Sequence, residues 1–201
     1  GIIITDHFFY GNTAVDRSLP WGEWVNGFCK GYENALEEGN RIGLQVFFGW
    51  ESGYKGTEFL IHGLDKDWLL AHPEIRDADV KTQYELVHAG GGMVIHAHPF
   101  REAPYIPEIR LFPEYVDGVE AVNATHSGTL TKSRCMGHPE FNDRAIDYAD
   151  RHQLAKTAGS DQHSTEMVYG GMVFERKLKD SRDFIKAVLG GEAVELLDGT
   201  R

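Results

Sequence analysis

Histidines and carboxylates recur behind the apolar runs of this chain. Ile2-Ile3-Ile4 leads into Thr5-Asp6-His7, Val46-Phe47-Phe48 into Gly49-Trp50-Glu51, and Phe59-Leu60-Ile61 into His62. Met93-Val94-Ile95 leads into His96-Ala97-His98-Pro99, the run 119–122 into Asn123 and His126, and Lys156-Thr157-Ala158 into Gly159-Ser160-Asp161-Gln162-His163. A single histidine behind a strand is an ordinary buried, hydrogen-bonded residue, and a single carboxylate there is an ordinary helix cap. Recurrence behind six successive runs points instead to a metal site. Imidazole and carboxylate without thiolate suit zinc, manganese, iron or magnesium rather than a structural thiolate zinc. A carboxylate such as Glu51 can bridge two cations, and paired cations clamp both oxygens of a phosphoryl or acyl displacement. His96 and His98, like Asp161 and His163, stand two apart, so in extended chain each pair points one way. His72, His88, His138 and His152 fall in helical or polar stretches and are read as solvent-facing.

The elements that must carry these residues follow from periodicity and from glycine stops. Strands are predicted at 2–5, 44–50, 58–64, 93–97, 118–122, 154–158, 172–175 and 193–197. Apolar residues at three-to-four spacing predict helices over 21–38, 80–89, 142–152 and 180–189. Strands alternating with helices imply a mainly parallel sheet. The number of strands favours an incomplete or distorted (β/α) barrel, with an open doubly wound sheet second. Both architectures build their sites at the carboxyl ends of the strands, where the histidines and acids fall.

The chain has 201 residues and no repeat, linker or low-complexity segment, so it reads as a single domain over 1–201. It is 41% hydrophobic and carries a net charge of −11. That apolar fraction supports a sizeable core, and the acid excess argues against long nucleic acid or an anionic membrane as partner. No apolar run approaches the ~20 residues of a membrane span. Two cysteines, Cys29 and Cys135, are too few for a disulfide framework and fit a reducing cytoplasm. All four methionines are internal and Gly1 opens directly into an apolar run, so the domain is expected to be N-terminally incomplete.

Taken in order, Thr5-Asp6-His7, Gly49-Trp50-Glu51, the histidine of Phe59-Leu60-Ile61-His62, His96-Ala97-His98-Pro99 and Gly159-Ser160-Asp161-Gln162-His163 resemble the ordered motifs of the polymerase and histidinol phosphatase (PHP) family. The resemblance runs through nearly the whole chain. It implies an α/β fold, a distorted (β/α)7 barrel of the PHP type, with two or three divalent ions (Zn, Mn or Fe) that hydrolyse phosphate esters. Carried over, Glu51 matches the carboxylate that bridges two metals, His62 and His98 the histidines of the second metal, Asp161 a ligand of the first, and His7 and His163 ligands of the third. Glu51 and Asp161 are then the catalytic carboxylates, and His96 orients a ligand from behind. Arg101, just past the same strand, is placed to receive a substrate phosphate by bidentate hydrogen bonds, and Asn123 and His126 to line the pocket.

The family opens with an His-x-His strand upstream of the Thr-Asp-His strand, and nothing in this sequence matches it, so the first βα unit is missing from this chain. The sheet edge so exposed invites a homo-oligomer. The expected substrate is a small phosphorylated metabolite or a nucleotide. Two other readings are a barrel amidohydrolase using His96 and His98 as a ligand pair, and a PHP-like domain without catalysis.

Overall fold

The computed structural model describes residues 1–127, 138–165 and 170–200. Cys135 lies outside them, and Cys29 is a buried free thiol. β1 (Ile2–Ile4), β2 (Val46–Tyr54), β3 (Thr57–His62), β4 (Met93–Ala97), β5 (Gly118–Asn123) and β6 (Ala155–Gly159) form one six-stranded sheet in chain order. The sheet curls into a half-closed barrel. β7 (Gly171–Phe174) and β8 (Ala193–Leu197) pair separately as an antiparallel ribbon. Helices α1 (Trp21–Phe28), α2 (Lys30–Ile42), α3 (Lys66–Ala71), α4 (Val80–Ala89), α5 (Ala124–Ser127), α6 (Glu140–His152) and α7 (Ser181–Leu189) complete an incomplete, distorted (β/α) barrel.

The helix expected over 21–38 is divided at Cys29, and its second part runs on to Ile42, where Gly43 (φ 77°) ends it in a left-handed turn. α3, α4 and α7 each start on an aspartate, Asp65, Asp79 and Asp180, whose side chain accepts a first-turn N–H at 2.8 Å.

The sheet is mainly parallel, as expected, and departs from parallel pairing at one strand. β3 runs antiparallel to both neighbours. Lys55 (φ 52°) and Gly56 (φ 88°) form a two-residue loop with both residues left-handed, the hairpin turn whose twist matches that of the strands. The turn extends β2 to Tyr54, so Glu51 lies inside the strand and not at its end. It also reverses the ends of β3: His62 stands opposite Gly49 and Met93, at the start of β4, while Glu58 stands opposite Ala97, at its finish.

Alternation divides the sheet between two cores. Phe48, Trp50, Phe59, Ile61 and Val94 pack with Trp24, Val25 and Phe28 of the first helices, Leu69 of α3 and Val87 of α4. The intervening residues Phe47, Leu60, Met93 and Ile95 pack on the other face against Phe184, Ile185 and Val188 of α7. α6 covers β5 through Ala145, Tyr148 and Ala149 against Val119. Glu51 and Glu58 share the parity of Phe47 and Leu60, so both carboxylates belong to the inner face.

Candidate metal centre

β1 ends at Ile4, but the chain keeps company with β2 for three more residues. Glu51 N–H donates to the Asp6 carbonyl (3.0 Å) and Phe8 N–H to the Glu51 carbonyl (2.7 Å), which levels His7 with Glu51. Gly49 makes this approach feasible: a Cβ there would lie 2.6 Å from the Ile61 carbonyl oxygen and 3.1 Å from the Thr5 methyl. His7 Nδ1 then sits 2.7 Å from Glu51 Oε2. From the far side, His98 Nε2 lies 3.3 Å from Glu51 Oε1 and 3.4 Å from Glu58 Oε2. His7, Glu51 and Glu58 each offer a donor atom within 4.8 Å of the other two, a place for one divalent cation.

A second group adjoins it. His163 Nε2 lies 3.4 Å from His7 Nε2, and His163 Nδ1 is 2.9 Å from the Asp161 carbonyl and 3.4 Å from Asp161 Oδ1. His7 therefore faces Glu51 with one ring nitrogen and His163 with the other. A cavity of about 1080 Å³ passes along these groups, lined by His7, Glu51, His98, Asp161 and His163 and by the apolar Phe47 and Phe184.

The electrostatics describe a site short of positive charge. Burial would raise the Glu51 carboxyl, yet hydrogen bonds from His7 and His98 hold it below the usual range. Glu58 is pushed the other way, by burial first and by the neighbouring Glu51 charge second. His98 opposes its own burial and the Arg101 charge and is raised to about 9 by its hydrogen bond to Glu51 and by the charges of Glu58 and Asp161. Two close carboxylates that cannot both ionise comfortably, with imidazoles beside them, are the donor chemistry a divalent cation would stabilise.

The raised His98 carries a testable consequence for the metal-free protein. Its folded pKa lies above the unfolded ~6.5, so its contribution to stability is complete below that value and is lost as pH rises through about 9. Melting in excess chelator should therefore show a Tm that falls between pH 7 and 9.5. A flat or rising Tm would exclude a protonated His98 in that state.

The structure brings together His7, Glu51, His98, Asp161 and His163 of the expected site residues, and separates others. His62 lines the same cavity but stands at the far end of β3, edge-on to Phe184, with a buried Nδ1 that has no hydrogen-bond partner among the described residues and a pKa lowered to about 4 by burial. His96 points to the opposite face, stacked on Phe59 at 5.0 Å and bordered by Phe112 and Tyr148. The expectation that His96 and His98 point one way fails because His98 has φ 25°, which turns the chain as it leaves β4. Asp161 likewise has φ 46°. Arg101 and His126 are buried and lie outside the large cavity. Arg101 pairs with Asp161 and donates to His126 Nε2 (3.3 Å) and Thr125 Oγ1 (3.2 Å).

Two acids escaped the sequence reading. Glu58 was hidden because the Lys55-Gly56 turn was not recognised; alternation counted across that turn places it on the face of Glu51. Glu120, fully buried in β5 and accepting the His98 N–H at 2.9 Å, was passed over as one polar residue in an apolar strand, although a carboxylate in that setting is itself a signal.

No curated protein matches the chain. A family described as PHP-associated (PHP_C) matches residues 139–193. Among solved structures the chain is similar to a two-domain protein from Bacteroides vulgatus containing a predicted PHP-like metal-dependent phosphoesterase, with a TM-score of 0.60, 14% identity and coverage of 95% of this chain. The chain spans 54% of that protein's length. It is also similar to PsfC from Pseudomonas syringae, with a TM-score of 0.52, 16% identity and coverage of 98% of this chain and 88% of that one.

Proposed function

We propose, from the premise that this chain carries the PHP phosphoesterase fold, that it performs metal-dependent hydrolysis of the phosphate ester of a small metabolite or nucleotide. The observation that carries the reading is the convergence of His7, Glu51 and Glu58 on one point of the inner face, with His7 and Glu51 lining a large cavity. A divalent cation held there supplies Lewis acidity toward a phosphoryl oxygen and a more acidic water.

The side chains divide the remaining work. Glu51 and Glu58 would supply the negative charge that retains the cation, and His98, in its neutral form, would be available beside them. Asp161 and His163 extend the donor set toward the solvent side. His7 Nε2 and His163 Nε2 stand 3.4 Å apart, so the two imidazoles would together hold a second divalent ion, with the other nitrogen of His7 turned to Glu51. Zinc, manganese and iron all suit these donors.

Substrate reaches the site through the cavity, and the acid excess of the surface disfavours long polyanions more than a small phosphate. No helix among the described residues is long and apolar enough to cross a membrane, and the cysteine usage supports a cytoplasmic setting. The outer edge of β1 has no strand partner among the described residues, which supports self-association. The amidohydrolase reading loses its main support, because His96 is turned into the aromatic core away from His98.

The test is phosphate release from p-nitrophenyl phosphate and from nucleoside monophosphates with manganese or zinc, before and after chelation. Release should fall at least ~100-fold on chelation and return with metal. A folded protein that releases no phosphate with any divalent metal, or that instead cleaves amides or lactones, overturns the proposal.

A further inference from the structure

β5 contributes nothing to the donor group, yet its carboxyl end holds two of the candidate ligands in place. Asn123 is fully buried. Its Nδ2 donates to Glu120 Oε2 at 3.0 Å and to Asp161 Oδ2 at 3.3 Å, while its Oδ1 accepts from the Thr125 N–H at 2.9 Å and the Thr125 hydroxyl at 2.6 Å. Glu120 Oε2 accepts the backbone N–H of His98 at 2.9 Å. One amide side chain thus links the Asp161 carboxylate to the main chain of His98.

Arg101 closes the same frame from the other side. Its Nη2 donates to Asp161 Oδ2 and to Thr125 Oγ1, and its Nε to His126 Nε2. With Nε2 accepting, His126 must carry its proton on Nδ1, which donates to Asn142 Oδ1 at 2.9 Å. Asn142 also receives the Asn123 N–H (3.1 Å) and donates to the Asn123 carbonyl (3.2 Å). The two residues that this frame holds, His98 and Asp161, are the site residues with left-handed backbone, φ 25° and 46°. Such conformations are strained for a non-glycine residue and persist where the surroundings over-determine them.

We infer that Asn123 and Arg101 are positioning residues: they clamp Asp161 Oδ2 and, through Glu120, the backbone of His98, so that Asp161 Oδ1 and the His98 ring are offered together to a divalent cation. This role rests on the metal-dependent reading above. It differs from a role for Arg101 as receiver of substrate phosphate, because the guanidinium is committed to Asp161 and its neighbours. It also differs from a role as built-in rival of the cation, which would make Arg101 weaken metal binding.

The experiment is titration of the purified chain with Mn²⁺ by calorimetry and by competition with a chelating dye, for wild type, Asn123→Ala, Asn123→Ser, Arg101→Lys and Arg101→Gln. Arg101→Lys keeps the charge but loses the planar fork that spans Asp161 and His126. Positioning predicts affinity ~10–100-fold weaker in each folded variant, measured where the metal-free variant is still fully folded although its melting is lowered by the unpaired buried groups, and, at saturating metal, a KM close to wild type. The paired substitutions at each site leave a folded variant to read if one member does not fold. Unchanged or tighter Mn²⁺ binding by the folded variants overturns the proposal, as does a loss expressed only in KM. A wild-type chain that binds no Mn²⁺ removes the metal-dependent reading and the positioning role together, an outcome separate from variants that bind as wild type does.

Discussion

Glu51→Gln is expected to lower metal affinity and phosphate release by at least ~100-fold, more than loss of an outer hydrogen-bond partner would, while leaving the protein folded. The substitution preserves shape and removes the charge at the one residue that touches both sides of the centre, with His7 on Oε2 and His98 on Oε1. A glutamine side chain accepts through one atom only, so one of the two imidazoles loses its acceptor and meets an NH₂ group instead. Glu58 loses its close negative neighbour at the same time, so its carboxyl should ionise at lower pH than in wild type. Metal titration and phosphate-release kinetics on the two proteins decide the matter. Equal turnover would show that Glu51 is not part of the metal chemistry.

Trp24→Ala should have the largest effect on folding, about 3–5 kcal/mol, read as a Tm lower by on the order of 10 °C for a domain of this size. Trp24 is fully buried. It stacks on Phe28 at 4.9 Å and Trp21 at 5.5 Å and meets Phe8 edge-on at 5.2 Å and Phe9 at 4.9 Å. Its indole N–H has no hydrogen-bond partner among the described residues, so the expected loss is one of packing. Phe8 and Phe9 directly follow His7, and the damage should therefore reach the site: metal affinity is expected to fall even where the variant remains folded. Thermal melts with and without Mn²⁺ measure both effects. A variant that melts like wild type would mean that the first helices are not what seats the His7 segment.

Much of this arrangement was legible in the residues. The βα alternation, the helix stops at Gly90 and Gly190, and the migration of histidines and acids to one end of the parallel strands follow from periodicity and placement. What escaped was local chirality. The reversal of β3 depends on two consecutive left-handed residues at 55–56, and the separation of His98 from His96 depends on one left-handed residue after a strand. A rule of alternating faces assumes extended backbone and fails where φ changes sign. The polar frame around Asn123 was out of reach for a different reason. Its members come from three stretches of sequence, and only the parallel register of β4, β5 and β6 sets Glu120, Asn123, Arg101 and Asp161 beside one another.

The Lys55-Gly56 turn also decides where this molecule is free to vary. It joins β2 to β3 at the same end of the sheet as the donors, with two residues and no slack, and both carboxylates of the donor group flank it along the hairpin. An insertion there would slide Glu58 against Glu51 by a register step and turn it to the other face. The other site residues, His7, His98 and Asp161, each reach it just past the end of a different strand. The hairpin alone therefore keeps the acid pair in one frame, a fixed seat that the residues arriving from the other strands must meet.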